Sequence, residues 1–396
     1  MVTADEPLLD ERGQVLEPLR IVDLDSAAPQ PAGVGDRIMI GVAAKPLDQA
    51  RRRVADALDL SLVPADFAAG PQCVAAADPW AEAELLRAAA QASPQAALAL
   101  AAVLRAGLTD TTAALDLESF AYSTLLGGRE FARWLERRGK RRDPAPSPRP
   151  AVLLQRSGTE LRITLNRPER RNAYSREMRD ALVEGLRLAI LDESIEQVVL
   201  GGAGPSFSAG GDLDEFGTAP DLATAHFVRT RAGAARLMHQ LAGRLRVHVH
   251  GSCVGAGIEL PAFAGRVLAR PDTTFRLPEV TMGLIPGAGG TVSIPRRIGR
   301  WRTLYMALSG CTLDAATALD WRLIDTIELT GVDSLSRLRG GVDVPRPATH
   351  GERTRAAPAD ATVTVRMSVS SLAPARCSFG CSTRSTTTGL RESSVS

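Results

Sequence analysis

The chain has 396 residues, 44% of them hydrophobic, with 47 lysines and arginines against 45 aspartates and glutamates. That length allows two domains and a sizeable core, and a net charge of +2 gives no general reason to bind nucleic acid or an acidic membrane surface. Five scattered cysteines suggest neither a disulfide framework nor a zinc site, and the polar, acidic start Met1–Glu6 is unlike a secretory signal, so a reducing cytoplasm is the expected setting.

Residues 1–34 combine charges and prolines with little periodicity and read as a mobile leader. Residues 35–138 read as a small, mostly helical N-terminal domain. A short strand is expected over Arg37–Val42, followed by helices at Leu47–Leu58, Trp80–Ala92, Pro94–Arg105, Asp110–Leu126 and Glu130–Arg138, where alanine enrichment favours helix. The most apolar stretch, Ala96–Leu104, is too short to span a bilayer. Residues 139–150 hold four prolines among basic residues and predict an extended linker.

From 151 to 330 strand and helix alternate. Leu161–Leu165 has period two, the mark of a strand with one buried face. Met178, Leu182, Leu186 and Ile190 recur every four residues, giving an amphipathic helix with Ser175 as its N-cap and Glu177 in its first turn. Val198–Leu200, Val247–His250 and Val267–Ala269 are further strands. Residues 331–396 are rich in Ser, Thr, Arg, Pro and Gly, with nine arginines against five acids and no helical stripe, and read as a low-complexity, disordered tail. Cys377 and Cys381 there have a tolerable metal spacing, but no second pair or histidine lies nearby. Patterning alone supports an α/β class.

Chemistry concentrates in two segments. In Pro205–Leu213 an apolar strand empties into a Gly-rich turn, a natural site for anions because N–H groups at a helix start have no internal partner. In His250–Thr291 the run Gly255-Ala256-Gly257 is followed by Glu259 and, twenty residues on, Glu279. Backbone donors aimed at a developing oxyanion are usually the largest catalytic term, and paired carboxylates add proton transfer. Neither His248 nor His250 has a third partner for a metal, and Ser206 and Ser208 do not sit in a G-x-S-x-G elbow.

Leu165-Asn166-Arg167-Pro168 with Arg171-Asn172-Ala173, Phe207 to Leu213, Gly251 to Glu259, and Pro278-Glu279 with Gly283 to Thr291 together resemble the enoyl-CoA hydratase/isomerase (crotonase) superfamily. The resemblance covers residues 151–330 and implies a repeated β-β-α superhelix, an acyl-CoA substrate, no separate cofactor or metal, and a trimeric or hexameric homo-oligomer. It implies that the N–H groups of Gly211 and Ala256 form the oxyanion hole. It also implies that Glu259 and Glu279 are catalytic, with the acyl-CoA near Arg171, Ala173, Ala209, Gly210, Asp212, Leu213, Asp214 and Gly287. Arg167 and Arg170 are further phosphate candidates. Keeping both glutamates favours hydration of a 2-enoyl-CoA to a 3-hydroxyacyl-CoA; double-bond isomerisation and a non-catalytic acyl-CoA-binding or scaffold role are the alternatives. Arylacetyl-CoA dioxygenases of the superfamily also carry a helical N-terminal extension, but lack the paired glutamates. Three departures stand out: Ala256 replaces the usual glycine, Asp214 lies where a lysine is common, and Arg322 replaces a helix-ending glycine. The superfamily's C-terminal helices have no counterpart in the tail, so a weakened oligomer is expected.

Overall fold

The computed structural model describes residues 7–26, 35–140 and 147–328. The tail, with Cys377 and Cys381, and the centre of the linker lie outside them. The first elements are β1 (Leu19–Asp23), β2 (Ile38–Val42), α1 (Gln49–Ala57), β3 (Leu60–Val63) and β4 (Cys73–Ala75). The four strands pair in chain order as a parallel sheet, with Leu19 opposite Ile38 and Ile40 opposite Leu60. The leader reading therefore fails for Leu19–Asp23: its apolar residues find a ladder beside β2, and Leu19 is fully buried. The N-terminal part remains mainly helical through α2 (Pro79–Ala92), α3 (Pro94–Ala106), α4 (Thr111–Leu126) and α5 (Arg129–Arg138).

Local chemistry sets these helix starts. Asp78 accepts from Trp80 N and Ala81 N ahead of α2, with Pro79 in the first turn, where its missing N–H costs nothing. Asp110 accepts from Ala113 N at the start of α4. Ser93, before α3, makes no capping bond; Glu130 of α5 instead accepts from Gln95 N and Ala96 N.

Then follow β5 (Val152–Ser157), β6 (Glu160–Leu165), α6 (Arg176–Leu191), β7 (Gln197–Gly202), α7 (Leu222–Arg231), α8 (Ala235–Gln240), β8 (Leu245–Val249), β9 (Ser252–Val254), α9 (Ala256–Glu259), β10 (Arg266–Ala269), β11 (Thr274–Arg276), α10 (Gly290–Ser309), β12 (Thr312–Asp314), α11 (Ala315–Asp320) and β13 (Thr326–Ile327). Ser175 caps α6 by accepting from Met178 N. One sheet runs β13-β10-β8-β7-β6-β5, parallel except for the β5–β6 hairpin. A smaller sheet runs β12-β11-β9. The pairs β8–β9 and β10–β11 each give one strand to the large sheet and the next to the small one, which is the repeated β-β-α superhelix of the crotonase fold. A bridge between Ser208 and Cys253 adds the segment after β7 to the same spiral.

The two parts are not separate bodies. One hydrophobic core runs from Leu19 and Leu100 through Phe131 to Phe207, Leu284 and Ile324. Helix α10, kinked at Gly299 (φ +81°, ψ +158°), lies across the junction, and polar contacts fasten it on both sides of the kink. Asp59, 3% exposed, receives Arg105 through both carboxylate oxygens and Arg300 of α10 at 3.5 Å. Trp301 Nε1 donates to Leu58 O, and Tyr305 donates its hydroxyl to Glu82. Arg296 reaches Thr111 at the start of α4.

Candidate functional site

The strand segments set the site. Val254 N donates to Ser208 O, and Ser208 bridges Cys253, so two chain segments run side by side into their turns. Gly211 and Ala256 each lie three residues beyond that bridge. Among the described residues neither N–H has an acceptor, and both groups line one cavity of about 740 Å³. Gly210 must be glycine: its φ is +88°, and a Cβ would stand 2.5 Å from Val254 O. Gly255 turns the chain at φ +49°, ψ −121° into the single turn of α9.

That turn carries Glu259, 2% exposed, to the cavity wall. Its Oε2 accepts from Ala288 N at 2.7 Å and Gly290 N at 2.9 Å, the start of α10. Glu279 follows β11, and both carboxylates converge on the Cβ side of Gly255, where a Cβ would overlap Oε1 of Glu279 and stand 3.6 Å from Oε1 of Glu259. Oε2 of Glu279 is buried with no hydrogen-bond partner among the described residues. Burial pushes the Glu279 carboxyl up to about 8. Glu259 is raised well above the ordinary range by burial, then by the negative charges of Glu279 and Glu118, against the pull of its two N–H bonds.

Glu118 is a site residue that the sequence reading did not single out. It comes from α4, is 1% exposed and lines the cavity. Its Oε1 accepts from Gly289 N at 2.8 Å; its Oε2 accepts from Thr291 N at 2.9 Å and the Thr291 hydroxyl at 2.7 Å. Burial raises it to about 7. A signal was available, since Glu118 falls on the buried stripe of α4 between Leu115 and Leu125, where an acid is unusual. Tyr122, one turn on, packs against Gly287 and stacks under Arg229 of α7 at 4.2 Å. With Leu115 and Phe131 these residues make the N-terminal part a wall of the cavity.

The expected substrate contacts divide. Asp212 and Gly287 line the cavity; Arg171, Ala173, Ala209, Gly210, Leu213 and Asp214 do not. Those six lie on adjoining turns: Ala209 N donates to Arg171 O, Gly210 O accepts from Tyr174 N, and Leu213 is 39% exposed. Two of the phosphate candidates are otherwise engaged. Arg167 is 5% exposed and pairs with Glu177, and Arg170 bonds both Asp212 and Asp214. Arg171 is exposed, at φ +50°. Arg138, from the end of α5, donates to Asp214 at 2.5 Å, so a cation stands beside the position where the sequence had lost one. His248 pairs with Glu328, and His250 bonds Gly204 O, which gives both histidines structural partners.

Residues 156–333 match the family model described as enoyl-CoA hydratase/isomerase. The chain is 34% identical over 176 residues to 2,3-dehydroadipyl-CoA hydratase of Escherichia coli, covering 44% of this chain and 68% of that protein. This chain belongs to the enoyl-CoA hydratase/isomerase family. Other relatives bear both activities in their names. The 1,2-epoxyphenylacetyl-CoA isomerase of E. coli is 37% identical over 41% of this chain and 64% of that protein. A probable enoyl-CoA hydratase of Mycobacterium tuberculosis is 30% identical over 42% and 64%. The chain thus spans about two thirds of these relatives' lengths. Among solved structures, an enoyl-CoA hydratase from Thermoplasma volcanium aligns at 29% identity over 48% of this chain and 76% of that one, with a TM-score of 0.41. Within this hydratase/isomerase chain the match leaves out α1 to α5, the part that brings Glu118 and Tyr122 to the cavity. No helix among the described residues is long and apolar enough to cross a membrane.

Proposed function

We propose that this protein hydrates a 2-enoyl-CoA to a 3-hydroxyacyl-CoA. The observation that carries the reading is the pair Glu259 and Glu279 meeting on one side of Gly255, beside two N–H groups without acceptors among the described residues in one cavity. The thioester oxygen sits between Gly211 N and Ala256 N, which act as an oxyanion hole. Glu259, anchored by Oε2, uses Oε1 to hold a water and take its proton as the oxygen bonds to Cβ. The electron pair of the double bond moves toward the thioester and is held there as an enolate. Glu279 gives its proton to Cα as the carbonyl re-forms. One proton has then passed to Glu259 and one has left Glu279, and exchange with solvent restores both.

The assignment of roles follows from the hydrogen bonds. Burial raises both carboxyls, so the pair carries a shared proton near neutrality; the two N–H donors at a helix start draw the pair's negative charge to Glu259, whereas Oε2 of Glu279 has no donor among the described residues and keeps the proton. Activity of this type should fall above pH 8 as Glu279 loses that proton.

Loss of enoyl-thioester absorbance on adding a short 2-enoyl-CoA tests the reading, with Glu279→Gln beside it. Loss that the variant abolishes supports hydration; no loss from folded protein overturns it. Isomerisation is the second reading, favoured by the unbonded oxygen of Glu279, which could shuttle a proton between two carbons alone. A 3-enoyl-CoA that gains conjugated absorbance would identify it. Folded protein that binds acyl-CoA but converts neither compound would point to a carrier. We propose a trimeric or hexameric assembly from the family resemblance, which light scattering would check.

A further inference from the structure

The four N–H groups from Ala288 to Thr291 are held in alternation. Ala288 and Gly290 donate to Glu259, and Gly289 and Thr291 donate to Glu118. These groups open α10, where the first donors of a helix have no internal acceptors and must find them elsewhere. Two buried carboxylates from different parts of the chain meet that need, Glu259 from α9 and Glu118 from the N-terminal α4. Both oxygens of Glu118 are occupied by these bonds, and the Thr291 hydroxyl adds a third. Glu118 is therefore fastened rather than presented for chemistry, although it lines the cavity.

We propose that Glu118 is a positioning residue: it clamps the start of α10 so that Ala288 N and Gly290 N fix Oε2 of Glu259 and leave Oε1 aimed into the cavity. The N-terminal part is then a component of the active site, fulfilling a role that the matched family region does not supply by itself. Without the clamp, Gly289 and Thr291 keep unpaired N–H groups inside the protein, the turn relaxes, and Glu259 turns with it. The substrate's own contacts with Gly211 and Ala256 do not pass through this turn. Gly287, Ala288 and Gly289 line the cavity, so KM can move a few-fold, but loss of the clamp should lower kcat by much more.

The kinetic arm rests on the hydratase reading; the structural arm does not. The experiment compares wild type with Glu118→Gln, which keeps shape and volume but presents an amide where an acceptor is needed, and with Thr291→Val, which removes only the hydroxyl bond. Amide hydrogen exchange is followed at Gly289 and Thr291, beside kcat and KM on a short 2-enoyl-CoA. The expected result for Glu118→Gln is exchange at least about tenfold faster at those two amides, with the β6–β7 ladder unchanged. The kinetic expectation is a kcat about 10²-fold lower with KM within a few-fold. Thr291→Val should move both readouts the same way by less. If Glu118→Gln fails to fold, Thr291→Val decides alone. Unchanged exchange at Gly289 and Thr291, or a raised KM at constant kcat, would overturn the proposal. A wild-type enzyme inactive on enoyl-CoA would sink the hydratase reading while exchange still judged the clamp.

Discussion

At the scale of single residues, the site is costly because it buries acids. Glu279 moves from an ordinary value of 4.5 to about 8, so the folded state binds its proton more tightly than the unfolded chain. The stability this confers is complete below about pH 4.5 and is lost as pH rises toward 8. Glu279→Gln has no proton to lose. Its unfolding free energy, compared with wild type, should therefore gain about 3 kcal/mol between pH 5 and pH 8, as urea titrations at both pH values would show. The same variant should lose about 10²–10⁴-fold in kcat if Glu279 is the acid. Gly255 makes a sharper case. Its φ/ψ is open to glycine, and a Cβ would press on Oε1 of Glu279. Gly255→Ala is expected to lower kcat at least about tenfold through displacement of that carboxylate, measured by the enoyl-thioester assay. That Gly211, Ala256, Glu259 and Glu279 would share one cavity was legible because glycine runs and isolated acids between them form a pattern. Glu118 was passed over despite its place on the apolar stripe of α4, since a glutamate within a helix normally means solvent.

At the scale of elements, legibility followed periodicity. The five N-terminal helices and α6 were expected within a residue or two of their ends, because caps and a four-residue stripe mark them. Strand β3 was missed. All four of its residues are buried, so the alternation that marks a half-exposed strand is absent, and its leucines merge with the end of α1. Strand β4 has three residues, too few for a pattern. Strand β1 lies among prolines and charges and is recognisable only by its partner β2. The end of α11 takes the left-handed turn that the family resemblance implied. Arg322 takes φ +67° where a glycine is expected, and Leu323 N returns to Ala318 O to close the turn. Arg322→Gly should stabilise the protein by about 0.5–1 kcal/mol, read as a higher thermal midpoint.

At the scale of the whole molecule, the expectation of a small helical domain on an extended linker gave way to one core crossed by α10. The reason is chemical. Asp59 has no solvent to face and takes two arginines, one from each side of the junction. Asp59→Ala would leave two partly buried guanidinium groups without their anion, and a loss of about 2–4 kcal/mol is expected from urea denaturation. That denaturation should remain one transition followed equally by probes in α2 and in β7. The linker prolines could be seen in sequence; the contacts that make the linker secondary depend on which residues meet in space.

The bonds from Glu118 to Gly289 and Thr291 join positions 171 and 173 residues apart. Closing so long a loop carries an entropic cost before its contacts give anything back, and topologies of this kind fold slowly. During synthesis α4 leaves the ribosome long before its partners exist. Until residue 291 emerges, the Glu118 carboxylate lacks the donors that hold it in the folded protein. Catalytic competence in this protein is therefore a late event in the life of each nascent chain.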